Sequence, residues 1–445
     1  MGARFHSVTC QQVRTLGEGT STEADLALLT AGEASRCLAM LALIVRDAEA
    51  GRHPEANAAA AAWQLLARVR RQAPGALAEL LRYPSVGAWA AQVVAGEQET
   101  SPSLSPGRLA LIAAAAAVRG GITCTVPLPP SALDGGVVHF PSLGMAVLPT
   151  DLRHPKAALR HHDGVTDISG PRGRLPLPRR LDTEAPGWHG LQTVLADGGG
   201  RQLRLVIDDA DPHRLPADLK PTRQLSPAQR EEWRLRIAGG WRILSSGHQR
   251  TASEVTSIIR SLVPIAIRDG DMQSVTSRRA FGSIGLSLPA DDVQMALTLA
   301  HEVQHAKLSA LMDLVPLVSG RVTGVFYAPW RPDPRPLASL LQGMYAHLEV
   351  ARFWRHQRTA ATGAAELWYA NVEFAKWRNA CGQVADFLHG RPELTSCGTA
   401  FVDGMINALR AWQNDSIPAE AAAKATREIS EHKREWDARH RPTVK

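Results

Sequence analysis

The stretch Ala290–Pro316 constrains the fold of this chain more than any other segment. It reads ADDVQMALTLAHEVQHAKLSALMDLVP and places apolar residues on nearly every face of a predicted helix. A helix that is apolar all round belongs in a protein interior, because a surface helix keeps one polar face. The segment therefore predicts one long, buried helix, where a metal ion could be held rigidly.

The pentapeptide His301-Glu302-Val303-Gln304-His305 lies in the middle of this helix. Two histidines four residues apart lie one turn apart on the same helical face, so both imidazoles can bind one metal ion. In zinc peptidases that carry this pattern, the glutamate is the general base that activates a metal-bound water. The pattern predicts a metal site and makes Glu302 a candidate catalytic residue.

A catalytic metal needs at least a third protein ligand and an open coordination position. The next long predicted helix, over residues 337–357, offers His347 and Glu349. Because residues two apart on a helix point about 200° from one another, only one of the two can face the metal. The spacing alone leaves both open.

Composition narrows the class of protein. The chain has 445 residues, 44% of them hydrophobic and 21% charged, which is typical of a globular protein. The net charge is +7, but the arginines are spread along the chain without a dense basic run or interleaved aromatic residues. Nucleic-acid binding is therefore not expected, and an acidic peptide or a small dicarboxylate partner suits the charge.

The cysteines and the N-terminus bear on location. The five cysteines are odd in number and scattered, which favours a reducing compartment and argues against a disulfide framework or a thiolate metal site. The N-terminal residues lack the apolar core of a signal peptide, and no apolar run suggests a membrane span. We predict a cytoplasmic protein that does not interact with a membrane.

Hydrophobic periodicity predicts an α+β fold that is predominantly helical, in three regions. Residues 1–120 form a helical scaffold or substrate-docking region, with helices that include 56–71 and 74–95. Residues 121–225 are β-rich, with a Pro-, Gly- and Arg-rich loop over 153–180 and a solvent-facing acidic turn over 208–211. Residues 226–445 are mostly helical and carry the metal site.

Two polar residues follow His305 on the central helix. Lys307 is predicted to lie at the surface with its apolar stem against the protein and its ammonium group in water. Asp313 either accepts a hydrogen bond from a histidine or faces solvent.

Three segments carry a resemblance to a known family. They are SVTSRRAFG at 274–282, LTLAHEVQHAKLSALMDLVPL at 297–317, and YAPWRPDPRPLASLLQGMYAHLEVARFWR at 327–355. Together and in this order, they resemble the HExxH-type peptide-modification proteins of ribosomal-peptide clusters, which are 2-oxoglutarate-dependent peptide β-hydroxylases. The three segments lie across residues 274–355, the resemblance extends over most of the C-terminal half, and it includes nothing in residues 1–200.

The resemblance implies an Fe(II) oxygenase that uses 2-oxoglutarate and O2 to hydroxylate a side-chain Cβ of a ribosomally synthesised precursor peptide. His301 and His305 would be iron ligands, with His347 as the third. Glu349 is the alternative, because the usual non-haem iron site has two histidines and one carboxylate. In such an enzyme Glu302 would support the site and would not act as a base.

An arginine with a bidentate guanidinium group is the best partner for the distal carboxylate of 2-oxoglutarate. The candidates in the matching segments, with their possible hydroxyl partners, are Arg278, Arg331, Arg335, Ser277 and Tyr327.

Two other functions fit parts of the same sequence. A zinc metallopeptidase would use His301, Glu302 and His305 to cleave a peptide, but residues 308 and 311 are leucines where a metzincin has glycine and histidine. A non-catalytic peptide-docking protein would instead rely on the helical N-terminal third.

Overall fold

The protein is described by a computed structural model that covers residues 5–97, 104–154, 156–215, 222, 224–266, 272–320 and 324–440. Helices account for 57% of the chain and strands for 15%, which confirms the prediction of a predominantly helical α+β fold. Helical N- and C-terminal parts flank a middle part that contains most of the strands.

The helices in the described part of the chain are α1 (Cys10–Glu18), α2 (Glu23–Ala50), α3 (Ala56–Gln72), α4 (Pro74–Leu81), α5 (Pro84–Val94), α6 (Arg108–Arg119), α7 (Pro130–Leu133), α8 (Pro227–Gly247), α9 (Gln249–Ile258), α10 (Asp292–Leu314), α11 (Leu337–Ala360), α12 (Ala364–Leu388), α13 (Ser396–Arg410) and α14 (Ala419–Arg439).

The strands are β1 (Cys124–Pro127), β2 (Val137–Phe140), β3 (Gly144–Val147), β4 (Ala158–His162), β5 (Val165–Gly170), β6 (Gly173–Pro176), β7 (Trp188–Gly190), β8 (Gln192–Gly198), β9 (Arg201–Ile207), β10 (Ser261–Pro264), β11 (Ser274–Thr276), β12 (Ser283–Leu286), β13 (Val325–Phe326) and β14 (Arg335–Pro336).

The largest sheet has the strand order β11-β12-β10-β9-β8. Strand β10 runs parallel to both of its neighbours, and the two edge strands, β11 and β8, are antiparallel to the strands beside them. The long helix α10 contacts β11 and packs against α2, α8, α9 and α11. The pentapeptide His301-Glu302-Val303-Gln304-His305 therefore lies on a helix that is surrounded by other elements, as its apolar sequence predicts.

The described residues form two hydrophobic cores that cross the predicted regional boundaries. One core joins α1 and the start of α2 to β8, β9 and the C-terminal helices. The other joins the rest of the N-terminal helices to the strands between β1 and β7. Because α2 contributes to both cores, the N-terminal region packs together with the C-terminal helices.

Helix α2 is also the one described helix whose length and hydropathy meet the criterion for crossing a membrane. Core helices of globular proteins meet the same criterion, and α2 is 28 residues long with an apolar face. Its residues Leu26 and Leu41 are almost fully buried, and Glu33 is buried beside Arg36. These contacts are those of a core helix.

Side-chain hydrogen bonds cap the starts of α2 and α8. Thr22 accepts a hydrogen bond from the Asp25 amide at the start of α2, and Ser226 caps α8 with Pro227 at the first helical position. The prediction of one helix over 74–95 is wrong, because the segment forms two helices, α4 and α5, and the second begins at Pro84. Proline lacks an amide hydrogen and restricts the residue before it, so it begins a new helix here.

The prediction of a long loop over 153–180 is wrong. This segment contains β4, β5 and β6, which pair as successive antiparallel strands with β1. The turn between β4 and β5 is Asp163-Gly164, and both residues have positive φ, of 51° and 74°. An Asp-Gly pair in this conformation closes a tight hairpin, and its signal was hidden by the surrounding prolines and arginines.

The acidic turn over 208–211 is buried, so the prediction that it faces solvent is also wrong. Asp211 pairs with Arg108 at 2.9 Å and Asp208 accepts from the Tyr83 hydroxyl at 2.7 Å. Asp209 accepts from His189 at 2.9 Å. The carboxylates join the N-terminal helices to the end of β9.

A disulfide connects Cys10 of α1 to Cys397 of α13, whereas Cys37, Cys124 and Cys381 are free and buried. The prediction that the chain has no disulfide is therefore wrong. Pairing between residues 387 positions apart leaves no local spacing signal. The cytoplasmic location stays a prediction.

Reduction of this disulfide is expected to lower the free energy of unfolding by about 2–4 kcal/mol, because the bond restricts the unfolded chain over a long loop. Thermal unfolding with and without a phosphine reductant measures the effect. A Cys397→Ser variant is the control, since the reductant should leave its melting temperature unchanged. An equal melting temperature for the wild-type protein in both conditions would contradict the prediction.

Candidate metal centre

His301 and His305 lie one turn apart on α10, with their Nε2 atoms 3.2 Å apart. Two imidazole nitrogens that bind one ion at about 2.1 Å are separated by roughly 3.0–3.4 Å in octahedral or tetrahedral geometry. His305 donates from Nδ1 to the Gln342 Oε1 at 3.1 Å, which leaves a lone pair on Nε2. The pair is thus spaced and oriented as two ligands of one cation.

His347 reaches the same place from α11. Its ring centroid is 4.9 Å from that of His301. Its Nδ1 donates to the Gly343 carbonyl one turn earlier, at 2.8 Å, which leaves Nε2 as the acceptor nitrogen. The ring stacks on Trp330 with centroids 4.6 Å apart, and Trp377 packs against it at 4.7 Å. Packing and a hydrogen bond therefore fix the orientation of this imidazole.

Gly343 makes the contact between Trp330 and α11 possible. A Cβ atom at this position would collide with the Trp330 indole. The glycine thus lets the loop before α11 lie directly on the helix that carries His347.

Burial keeps these imidazoles in the form that binds metals. Burial, together with the neighbouring His305, lowers the pKa of His301 to about 4. Burial and the neighbouring His301 hold the pKa of His347 well below its ordinary value. Both rings are neutral at neutral pH, and neutral imidazole is the metal-ligating form.

The imidazole rings of His301, His305 and His347 lie next to one another, but they do not surround one common point. Within the described ranges, no group of three His, Cys, Asp or Glu side chains has the arrangement that would hold a metal ion. His301 and His305 form a donor pair, and the ring of His347 lies edge-on to His301.

Glu302 is buried beside this pair and is fixed by the edge strand β11. Its carboxylate oxygens accept hydrogen bonds from the Ser274 hydroxyl at 2.7 Å and the Thr276 hydroxyl at 2.5 Å. Burial raises the pKa of Glu302, but His301, His305 and the two hydroxyls outweigh it and leave the pKa below its ordinary value. The carboxylate is ionised and connects α10 to β11.

Glu349, the alternative third ligand, is placed in a different cluster. It forms ion pairs with Arg250 and with Arg352, the latter at 2.8 Å, and accepts from the Thr251 hydroxyl at 2.6 Å. Its side chain is 2% exposed. Of the two alternatives, the structure places His347 beside the histidine pair and Glu349 among arginines.

The loop before α11 carries three of the predicted co-substrate residues. Arg331 and Arg335 each form an ion pair with Asp333, at 2.9 and 3.0 Å. The Tyr327 hydroxyl hydrogen-bonds His432 of α14 at 2.9 Å. Trp330, in the same loop, stacks on the His347 ring, so Arg331 is adjacent in sequence to a residue that contacts this imidazole.

Arg278 and Ser277 lie elsewhere. Arg278 forms an ion pair with Asp313, which is eight residues beyond His305 on α10 and therefore roughly 12 Å further along the helix. The Ser277 hydroxyl accepts from the Arg279 amide at 3.3 Å. The structure does not bring these two residues together with Arg331 and Arg335.

Two predictions for α10 are wrong. Lys307 is 1% exposed, and its ammonium group pairs with Glu254 at 2.6 Å and donates to Gln304 at 3.0 Å. Asp313 pairs with Arg36 at 3.3 Å and with Arg278, so it neither contacts a histidine nor stands alone in solvent. The apolar residues on every face of α10 were the available signal that Lys307 is buried.

Sequence reasoning also missed the residues that orient the ligands. Gln342, Trp330 and Trp377 contact His305 or His347, and none has a spacing that identifies it beforehand.

No protein-family model matches the chain, and no curated protein matches it at a significant level.

Proposed function

We propose that the chain is an Fe(II)- and 2-oxoglutarate-dependent oxygenase that hydroxylates a side-chain Cβ of a ribosomally synthesised precursor peptide. The observation that carries the proposal is that His301, His305 and His347 lie next to one another, while the carboxylates of Glu302 and Glu349 are held by other residues. The resemblance of the three segments over 274–355 to peptide β-hydroxylases selects this chemistry among those that a histidine site can support.

The donor set fits the metal. Imidazole suits Fe(II) as well as Zn(II), and three neutral ligands leave the ion's charge uncompensated, which favours an anionic co-substrate. His301, His305 and His347 would hold the ion. When bound, Fe(II) with 2-oxoglutarate and O2 would supply the oxidation of a C–H bond.

The surrounding residues orient and shield these ligands. Trp330 and Trp377 both pack against the His347 ring and limit the access of water to it. Glu302 holds the metal-bearing turn of α10 against β11. A fixed ligand geometry of this kind lowers the cost of binding the ion and its co-substrate.

Arg331 and Arg335 are the best candidates for the distal carboxylate of 2-oxoglutarate. They follow Trp330, whose ring stacks on His347. Both arginines pair with the same carboxylate, that of Asp333. The pair therefore keeps a net positive charge. A guanidinium group can bind the carboxylate through two hydrogen bonds.

The zinc-peptidase alternative depends on Glu302 as a base. Glu302→Gln is expected to keep hydroxylation within about tenfold, because glutamine can still accept from one hydroxyl and donate to the other. Loss of a general base would instead reduce peptide cleavage by about 10²–10⁴-fold. Mass spectrometry of the peptide product and metal analysis of the variant measure both outcomes.

The direct test incubates the anaerobically purified protein with Fe(II), 2-oxoglutarate and a precursor peptide encoded beside it. We expect the peptide to gain one oxygen atom at a Cβ and succinate to be released. Protein without 2-oxoglutarate is the matched control. Metal-dependent cleavage of the peptide, with no oxygen gained, would overturn the proposal in favour of a peptidase.

A further inference from the structure

A cavity that is separate from the candidate metal centre lies between the C-terminal half of α11 and its neighbours. Its volume is about 700 Å³, and its walls are the α8–α9 junction, α11, the start of α12 and the segment before α14. This size is within the roughly 300–1,000 Å³ of small-molecule sites. Its lining contains Glu349 and none of the three metal-site histidines.

The lining of this cavity is strongly basic. Arg250, Arg352, Arg355 and Arg358 face it, whereas its carboxylates are Glu349 and Asp415, which leaves an excess of two positive charges. The cavity thus has the electrostatic character of an anion site.

Of the two histidines in its wall, His248 adds no charge at neutral pH. Burial and the neighbouring His356 lower the pKa of His248 to about 4. Its ring stacks on Phe353 with centroids 4.6 Å apart. The positive charge of the cavity therefore does not depend on His248.

Two of the cavity arginines, Arg355 and Arg358, are held in place by neighbouring groups. Arg358 donates from Nε to the Asn371 Oδ1 at 2.8 Å, and its guanidinium lies 4.8 Å from the Phe374 ring centroid. Arg355 donates to both oxygens of Asp415, at 2.5 and 3.2 Å. Side chains that are already ordered lose little entropy when a ligand binds.

The other two cavity arginines, Arg250 and Arg352, share the buried Glu349. Arg352 pairs with it at 2.8 Å and also donates to the Glu18 carbonyl. Arg250 pairs with Glu349 and, at 2.7 Å, with Glu254. The carboxylates of Glu349 and Glu254 therefore neutralise part of the charge of these two guanidinium groups, and both groups line the cavity.

We propose that this cavity binds a small polyanion that carries phosphate or carboxylate groups. Planar guanidinium groups bind both kinds of group through paired hydrogen bonds, and they do so better than ammonium groups. Four arginines on one cavity wall supply several such contacts at once. The proposal does not depend on the reaction proposed for the metal centre.

The cavity is connected to the metal-bearing helix by buried charges. Arg250, at the cavity wall, pairs with Glu254, and Glu254 pairs with Lys307 of α10 at 2.6 Å. An anion that draws Arg250 toward itself weakens its pairing with both glutamates. Occupancy of the cavity therefore acts on the same network that supports the HExxH helix.

The test is isothermal titration with tripolyphosphate and, separately, with citrate, each against sodium chloride of equal ionic strength. We expect saturable binding of at least one, and the tighter of the two identifies phosphate or carboxylate as the ligand group. Arg358→Gln should weaken that binding by about tenfold or more, the equivalent of one lost charge-assisted hydrogen bond.

Arg355→Gln is the second variant, because Arg355 is more exposed than Arg358 and its loss places less strain on folding. Arg234→Gln is the matched control, since Arg234 is similarly exposed and pairs only locally with Glu231. Affinity that is equal in all three variants and the wild-type protein would overturn the proposal. So would the absence of saturable binding of either anion in the millimolar range.

Discussion

His301→Ala is expected to reduce the affinity for Fe(II) or Zn(II) by more than about 100-fold and to abolish peptide hydroxylation. The variant removes one nitrogen of the pair that lies 3.2 Å apart, and it leaves His305 without its neighbouring donor. Loss of a residue that only supports a ligand typically costs about 10–100-fold in metal affinity, so loss of a ligand costs more. Competition with a chromophoric chelator measures the affinity.

The control for this prediction is His389→Ala, which removes an exposed histidine at the end of α12. Its metal affinity and activity should equal those of the wild-type protein. If His301→Ala retained metal at wild-type affinity while remaining folded, the assignment of the metal centre would be wrong. If the His301→Ala variant also still bound the peptide, the result would favour the hypothesis of a non-catalytic peptide-docking protein.

The third ligand is distinguished by the same assay. His347→Ala should also lose metal affinity, because its ring adjoins His301 and its Nε2 is the free nitrogen. Glu349→Gln should retain the metal and lose stability, because it leaves Arg250 and Arg352 short of a buried counter-ion. The reverse pattern would make Glu349 the ligand.

Lys307→Met is expected to lower the free energy of unfolding by about 3–5 kcal/mol, the usual effect of removing one partner of a buried ion pair. The Glu254 carboxylate is fully buried, and Lys307 is one of only two cations that contact it among the described residues. Methionine keeps the length of the side chain, so the charge is the main change. Urea denaturation at neutral pH measures the difference.

Lys424→Met is the matched control, because Lys424 pairs with Glu428 one turn later on the surface of α14. An exposed pair of this kind contributes about 0.3–0.5 kcal/mol. A similar, small effect in both variants would show that the buried network contributes little.

The pH dependence of the same network has a definite sign. Burial raises the pKa of Glu254, but Arg250 and Lys307 more than offset it and hold the pKa well below its ordinary value. The stability from this carboxylate is therefore complete above the unfolded-state pKa and is lost as the pH falls through the acid range. The deficit of Lys307→Met relative to the wild-type protein should shrink in the same direction.

The sequence predicted elements whose signals are local. The spacing of His301 and His305, the capping residues Thr22 and Ser226, and the apolar character of α10 all depend on neighbours within a few residues. Helical periodicity and hydrogen bonds at helix ends act over that range. For this reason the fold class and the metal-binding pair could be read before any tertiary contact was known.

The segment over 153–180 shows where local signals conflict. Its prolines and glycines favour a loop, but pairing with β1 across the sheet stabilises three strands there. The pairs β4–β5 and β5–β6 form within the segment, but β4 also pairs with β1 outside it, and a partner outside the segment leaves no signal in the local sequence. Such pairing overrides weak local preferences. The disulfide between α1 and α13 was hidden for the same reason.

Only the tertiary structure shows that His347, and not Glu349, lies beside the histidine pair and that Lys307 is buried. Residues two apart on α11 face different neighbours, and which neighbour is α10 depends on how the two helices pack. Lysine side chains usually lie at the protein surface, but Glu254 of α9, 53 positions away, provides Lys307 with a buried partner. The local sequence thus predicted a metal site at the HExxH helix, whereas long-range packing placed His347, and not Glu349, beside the histidine pair and placed Lys307 beside Glu254.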